Sequence, residues 1–283
     1  MSKYIPELVH QFYPAEEAQI NFRVSDQCVG AITYPIGQLN SYKMITQIME
    51  ILLDKGVNLQ TNTPVNKVSR HGSRWIVETD RGTIDAAKVI HATNGYIQHL
   101  IPSFTVITPN RGHVTARAAP VNLSKTPLDK AYCFIYGHGE HDYMIQLSAN
   151  EGNKLIIGGG YNEDPQPGTD DDGRVNEQVF LYLRSQVEEV MQWREDNSEK
   201  FYMEWSGIMG FSADELPWVG CLPETLEEEG QWICAGYSGE GESTSGFTKN
   251  NRNVECPPLY GIVGFYASWK RTTQLLPQII LSD

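Results

Sequence analysis

Hydrophobic positions change their spacing along the chain, from helical to strand-like. Residues 41–55 carry one apolar stripe at helical spacing, formed by Met44, Ile45, Ile48, Met49, Ile51 and Leu52. Ser41 can cap the first turn, and Gly56 can take the left-handed conformation that ends many helices. The pattern therefore predicts an amphipathic helix over residues 41–55.

Short apolar runs, separated by turn residues, follow this helix. They predict strands over residues 57–61, 74–79 and 89–92, with turns at 70–73 and 80–82. A helix followed by short strands is typical of a mixed α/β fold.

The pattern changes after about residue 105. Short β-rich runs predict strands over 113–116, 132–136, 143–147 and 155–157, and a long apolar stripe predicts a helix over 175–193. A buried strand over 231–235 then opens into Gly236-Tyr-Ser-Gly-Glu-Gly241. The acidic segment at 164–173 lacks the alternating ligands of a calcium loop, so we interpret it as a solvated loop.

Composition and charge narrow the possible functions. The 283 residues carry 35 Asp and Glu against 22 Lys and Arg, a net charge of −13. This balance argues against a nucleic-acid binder and against docking on an anionic membrane. The N-terminus has no signal-peptide pattern, and no apolar stretch reaches the roughly 18 residues of a membrane span. We therefore expect a cytoplasmic protein, with its five widely spaced cysteines as single buried thiols.

Two strand ends are candidates for ligand contact. The first is Val89-Ile-His-Ala-Thr-Asn-Gly-Tyr96, and the second is the glycine-rich segment after residue 235. Small residues at a strand end let a ligand approach the backbone, and glycines can present N–H groups to a phosphate. A plain turn explains each pattern as well, so both alternatives stay open. Neither a G-x-G-x-x-G motif nor metal-ligand spacing supports a more specific assignment.

In order along the chain, several segments resemble a known family. They are Leu39-Asn-Ser-Tyr-Lys43, Gly56–Val65, Arg74–Ile84, Val89–Tyr96, Arg111-Gly-His113, Gly210–Gly220 and Ile233–Gly241. Together they resemble the FAD-dependent oxidoreductases of the D-amino-acid oxidase and glycine oxidase type, over roughly residues 25–241.

The resemblance implies an FAD-binding Rossmann-like domain, incomplete here, interleaved with a substrate domain built on a large mixed β-sheet. Residues 36–104 and 206–283 would form the FAD domain, and 1–35 and 105–205 the substrate domain. Family motifs would then assign FAD binding to residues at three places: Val65; Ala92, Thr93, Asn94 and Gly95; and Gly236, Tyr237, Ser238, Gly239 and Gly241.

The reaction implied by the resemblance is oxidation of a C–N bond in an amine or amino acid. Hydride would pass to the flavin, and oxygen would reoxidise it. An arginine that holds the substrate carboxylate is expected. Arg111 and Arg117 are candidates, and we choose Arg111. No metal is expected, and neither the substrate's identity nor the oligomeric state can be inferred.

The sequence departs from the family pattern at both ends. The family's Gly-rich dinucleotide fingerprint would lie before Met1, and residues 242–283 form an atypical tail. We expect a truncated chain, with the tail read through an unspliced intron. The alternative function is a non-catalytic fragment or binding module that cannot hold FAD.

Overall fold

The computed structural model describes residues 11–34, 38–137, 140–160, 167–191, 201–222 and 230–239. In these ranges the strands and helices form a mixed α/β fold with four sheets, which confirms the predicted fold class. Within the described residues, none of the helices is both long enough and apolar enough to span a membrane.

The largest sheet has five strands in the order β11-β7-β10-β9-β8. Strand β10 pairs antiparallel with both β7 and β9, and β9 pairs antiparallel with β8. The strand bounds are β7 Ile107–Arg117, β8 Tyr132–Gly137, β9 Glu140–Gln146, β10 Leu155–Gly159 and β11 Phe201–Ser212.

Contacts divide the described residues into two units. The first is drawn from the described residues between 11 and 39, 112 and 160, and 175 and 205, and the second from those between 40 and 111, 167 and 174, and 206 and 239. Both units are discontinuous in sequence, so long-range pairing holds each of them together.

Helix α4, Glu177–Val190, packs on the core of the first unit. Its residues Val179 and Leu183 pack in one apolar cluster with Met144, Leu155 and Ile157 of the sheet. The smaller elements of this unit are β1 Gln11–Pro14, α1 Ala15–Phe22, β2 Gly30–Thr33 and α3 Val121–Lys125. A helix that covers one sheet face buries the alternating apolar residues of that face.

The second unit contains two three-stranded sheets and one long helix. One sheet has the order β12-β13-β6 and the other the order β3-β4-β5. The bounds are α2 Ser41–Asp54, β3 Val65–His71, β4 Arg74–Thr79, β5 Gly82–Ala86, β6 Val89–His91, β12 Trp218–Cys221 and β13 Gln231–Ala235. A 3₁₀ helix, Asn94–His99, follows β6.

Helix α2 matches its prediction within one residue but has a different cap. Asn40, rather than Ser41, accepts a hydrogen bond from the Lys43 amide at 3.1 Å. Gly56 takes the expected left-handed conformation, with φ 91°. None of the helix side chains is buried against other described residues, although the helix is strongly amphipathic.

Other predictions for the second unit and for the cysteines need correction. The predicted strand at 57–61 is irregular, while β3 and β5 were not predicted. Only Cys234 of the free cysteines in the described residues is buried, since Cys28 is partly buried and Cys133 is exposed. Cys221 is disulfide-bonded, so the expectation of single buried thiols is wrong there.

Candidate functional site

The two candidate strand ends meet at one edge of a sheet. Strands β6 and β13 are parallel neighbours, with Val89 opposite Gln231 and His91 opposite Ile233. Parallel strands have their carboxyl ends on the same side, so residues 92–95 and 236–239 leave the sheet at the same edge. In open α/β sheets this edge is where ligands bind.

A side-chain hydrogen bond ties the two ends together. Asn94 has a left-handed backbone, with φ 47°, and its Oδ1 accepts from the Gly236 amide at 2.8 Å. The end of β11 adds a second tie, because the Gly210 carbonyl accepts from the Ser238 amide at 2.8 Å. Three strand ends therefore form one hydrogen-bonded group.

Two serines extend this group toward β12. The Ser212 amide donates to Ser238 Oγ at 3.2 Å, and Ser212 Oγ donates to the Leu216 carbonyl at 2.7 Å. These contacts connect the segment before β12 to the glycine-rich segment. The segment from Gly210 carries part of the family resemblance, but the sequence predicts no site residue in it, because its serine belongs to no motif by itself.

Glycines allow the strand ends to approach closely. A Cβ at Gly95 would lie 2.8 Å from Ile208 Cγ2 and 3.0 Å from the Met209 carbonyl oxygen. Glycine is favoured where backbone packs closely on backbone or where φ is positive. Gly236 and Gly239 meet the second condition, with φ of 77° and 87°.

Three hydrogen-bond donors at this edge are unused within the described residues. Thr93 Oγ1 is buried and has no partner. The Tyr237 and Gly239 amides make no hydrogen bond there, whereas the alternate Gly236 and Ser238 amides are used internally. From the sequence, any amide of the glycine-rich segment could face a ligand. Among the described residues, only every second amide, those of Tyr237 and Gly239, is left for this role. A buried hydroxyl beside two unused backbone amides at a glycine-rich edge suits an anionic or polar ligand.

The Tyr237 side chain ties the glycine-rich segment to β13. Its phenolic oxygen lies 2.8 Å from Cys234 Sγ, and both side chains are buried. Burial raises the pKa of the Tyr237 phenol and the pKa of the Cys234 thiol. Both groups therefore stay protonated at neutral pH and act in packing and hydrogen bonding rather than as bases.

Arg111 is buried and contacts the acidic loop that the second unit includes. Its Nε donates to the Asp171 carbonyl at 2.8 Å, and its Nη2 donates to Thr169 Oγ1 at 3.2 Å. The substrate-binding role expected of Arg111 stays a prediction. The geometry shows that this guanidinium also holds the loop in place.

The remaining predicted site residues lie at different places. Ala92 is exposed at the edge directly after β6. Val65 begins β3 and pairs with Thr79, so it belongs to the other small sheet. Gly241 lies outside the described residues. No group of metal-binding side chains occurs in the described ranges.

A small polar pocket lies beside Gly95. It has a volume of about 210 Å³ and is lined by Gly95, Gln98, His99, Thr108, Pro109, Gly168 and Asp170. His99 Nε2 and Asp170 Oδ2 lie 2.7 Å apart at its side. The sequence does not predict this pocket, because His99 and Asp170 belong to segments far apart in the chain.

His91 is a buried histidine within β6. Its Nε2 hydrogen-bonds to Gln231 Oε1, and its Nδ1 has no partner in the described part of the chain. Burial lowers the pKa of His91 below the ordinary value of 6.5, and the Gln231 hydrogen bond offsets part of this effect. The ring is therefore neutral in the folded protein at neutral pH.

The lowered pKa of His91 should make stability depend on pH. Below pH 6.5 the unfolded chain binds a proton that the folded chain binds only at lower pH. The free energy of unfolding should therefore fall as pH decreases from 6.5 toward the folded pKa, by at most about 1.4 kcal/mol per pH unit. Denaturant unfolding at several pH values measures this slope. His91→Leu should flatten it, and an unchanged slope would contradict the assignment.

Two parallel strands whose small-residue and glycine-rich carboxyl ends meet at one sheet edge are typical of α/β domains that bind ligands there. The sequence pattern of the FAD dependent oxidoreductase family (DAO) matches residues 4–248. The chain belongs to this family, which confirms the resemblance.

Comparison with solved structures gives the same fold. Glycine oxidase from Geobacillus kaustophilus is 23% identical, with TM-score 0.66 over 83% of this chain and 59% of that one. Amadoriase I, a fructosyl amine:oxygen oxidoreductase from Aspergillus fumigatus, is 12% identical, with TM-score 0.62 over 83% and 56%. L-α-glycerophosphate oxidase from Mycoplasma pneumoniae, solved with FAD bound, is 15% identical, with TM-score 0.59 over 80% and 59%.

The chain thus spans less than two thirds of the length of these structures. A search of curated protein sequences finds no match.

Proposed function

We propose that this chain binds FAD and belongs to an enzyme that oxidises a C–N bond of an amine or amino acid. Membership of the FAD dependent oxidoreductase family supports the cofactor. We propose that FAD lies at the sheet edge where β6 and β13 end, because this edge combines glycines with hydrogen-bond donors that are unused within the described residues. The substrate class is an extension from relatives that share the fold.

The residues at the edge fit a dinucleotide. Thr93 Oγ1 and the amides of Tyr237 and Gly239 would donate to its phosphate or ring oxygens. Asn94 and Gly95 would form the wall on the β6 side, and Ser238 would form the wall on the β13 side. Ala92, Val65 and Gly241 keep the cofactor contacts that the resemblance implies for them, as parts of the proposal.

The proposed reaction removes a hydride from the carbon that bears the substrate nitrogen. Bound FAD would supply the chemistry of accepting this hydride and of passing both electrons to oxygen, which gives hydrogen peroxide. Water then hydrolyses the imine to a carbonyl compound and an amine or ammonia. The protein's part is to bind and orient, and we propose Arg111 as the group that holds a substrate carboxylate.

We also propose that residues 36–104 and 206–283 form the FAD-binding domain, and that residues 1–35 and 105–205 form the substrate domain. A cytoplasmic location stays a prediction from the sequence.

Titration of the purified full chain with FAD tests the proposal. Binding should quench the fluorescence of the flavin and shift its visible absorption band. In a screen of amines and amino acids, the holoprotein should produce hydrogen peroxide with its substrate. A chain that binds no FAD would favour the second candidate, a non-catalytic binding module.

Replacing Thr93 by valine should weaken FAD binding by about tenfold, since one hydrogen bond to a charged or polar group is lost. Valine has the same shape, and the removed hydroxyl has no partner in the described residues. The FAD-free protein should therefore keep its free energy of unfolding within about 0.5 kcal/mol. Fluorescence titration and denaturant unfolding measure the two quantities.

Thr115→Val is the matched control. Thr115 also has a buried hydroxyl without a partner in the described ranges, but it lies in the first unit. This variant should bind FAD with unchanged affinity. Equal weakening by both variants would contradict a specific role for Thr93.

A further inference from the structure

Asn94 joins two chain segments that are 142 residues apart in sequence. Its Oδ1 accepts from the Gly236 amide at 2.8 Å, and the side chain is buried. Its backbone is left-handed, with φ 47°. Asparagine tolerates this conformation better than most residues, so one residue supplies both the turn after β6 and the acceptor for the glycine-rich segment.

The space around the Asn94 amide fixes its position. A Cβ at Gly210 would lie 2.8 Å from Asn94 Oδ1, so the oxygen occupies room that only a glycine in β11 leaves. On the far side of Gly236, the Ser238 amide is held by the Gly210 carbonyl at 2.8 Å. The segment 236–239 is thus held at alternate amides, from β6 and from β11.

We propose that Asn94 is a positioning residue that holds segment 236–239 so that the Tyr237 and Gly239 amides stay free for FAD. The cofactor half of this inference rests on the proposed function. Asn94 uses its oxygen on Gly236 rather than on the ligand. Asn94 would therefore act on FAD through the backbone that it holds. The sequence predicted instead that Asn94 contacts FAD directly.

Asn94→Gly tests this role with little strain, because glycine adopts positive φ freely but offers no acceptor. In the FAD-free full chain, hydrogen exchange of the Gly236 amide should become about tenfold faster. FAD affinity should fall by about tenfold, and the visible circular dichroism of bound flavin should change. NMR-detected exchange and fluorescence titration give the two main readouts.

Asn94→Asp is the conservative variant. It keeps an oxygen acceptor at the same position and also tolerates positive φ. The Gly236 amide should therefore exchange as slowly as in the wild-type chain, and fast exchange in this variant would contradict the hydrogen bond as the cause of protection.

Asn153→Gly is the matched control for replacing a left-handed asparagine. Asn153 has φ 52°, and its Oδ1 has no partner among the described residues. This change in the first unit should alter neither Gly236 exchange nor FAD affinity.

The outcomes separate the two halves of the inference. Unchanged Gly236 exchange in Asn94→Gly would overturn the tie, and faster exchange with unchanged FAD affinity would overturn the cofactor role. A wild-type chain that binds no FAD would overturn the proposed function together with the cofactor role, while the exchange comparison would still decide the tie.

Discussion

Replacing Asp142 by alanine should lower the free energy of unfolding by about 3 kcal/mol, the largest effect that we expect from one substitution. The carboxylate is buried in β9, where Oδ2 accepts from the Tyr182 hydroxyl at 2.9 Å and Oδ1 accepts from the Gly160 amide at 2.7 Å. Tyr136 also hydrogen-bonds to it, and burial, Asp142 and Tyr182 all raise the pKa of Tyr136.

The large effect arises because several donors share one acceptor. Alanine would take the Asp142 acceptor away from the partly buried Tyr182 hydroxyl and the buried Gly160 amide, and each of these donors loses its hydrogen bond to a charge. Denaturant unfolding of the full chain measures the change.

A double-mutant cycle with Tyr182→Phe sharpens the test. If the hydroxyl and carboxylate interact as described, the double variant should be more stable than the sum of the single effects predicts. Additive effects would contradict the interaction. Asp129→Ala is the control, since the Asp129 side chain is 81% exposed. It should change stability by less than about 0.5 kcal/mol.

Replacing Gly210 by alanine should destabilise the second unit by about 2 kcal/mol through overpacking. The added methyl would lie 2.8 Å from both Asn94 Oδ1 and the Gly95 amide nitrogen. The Gly95 atom belongs to the backbone and the Asn94 side chain is buried, so neither can move away cheaply. Under the proposed function, the substitution should also weaken FAD binding, because it displaces the Asn94 oxygen from Gly236.

Gly173→Ala provides the comparison for Gly210. The methyl at position 173 would meet only Asp171 Oδ1, at 2.9 Å, on a side chain that is about half exposed and can rotate. Thermal and denaturant unfolding should therefore separate the two variants clearly. A Gly210→Ala protein as stable as Gly173→Ala would show that the strand ends are not closely packed.

The sequence predicted those elements whose local pattern is strong. The strand at 231–235 and the strand at 74–79 have the predicted bounds, and helix α2 ends one residue early. Strand β3 escaped prediction because a register shift between Val65 and Lys67 interrupts its alternation. The run at 57–61 alternates well but forms no strand. Alternation shows that a segment could pair, while pairing also requires a neighbouring strand.

By itself the sequence determined the mixed α/β class, the two glycine-rich or small-residue strand ends and, through the order of its motifs, the family. Only the tertiary structure decided which atoms of those ends are used. Asn94 hydrogen-bonds to Gly236, which is 142 residues away in the sequence, and His91 hydrogen-bonds to Gln231, which is 140 residues away. Helix and strand patterns reflect interactions between near neighbours in the chain. The use of each donor depends instead on strand order and register in the folded sheet, which only long-range packing decides.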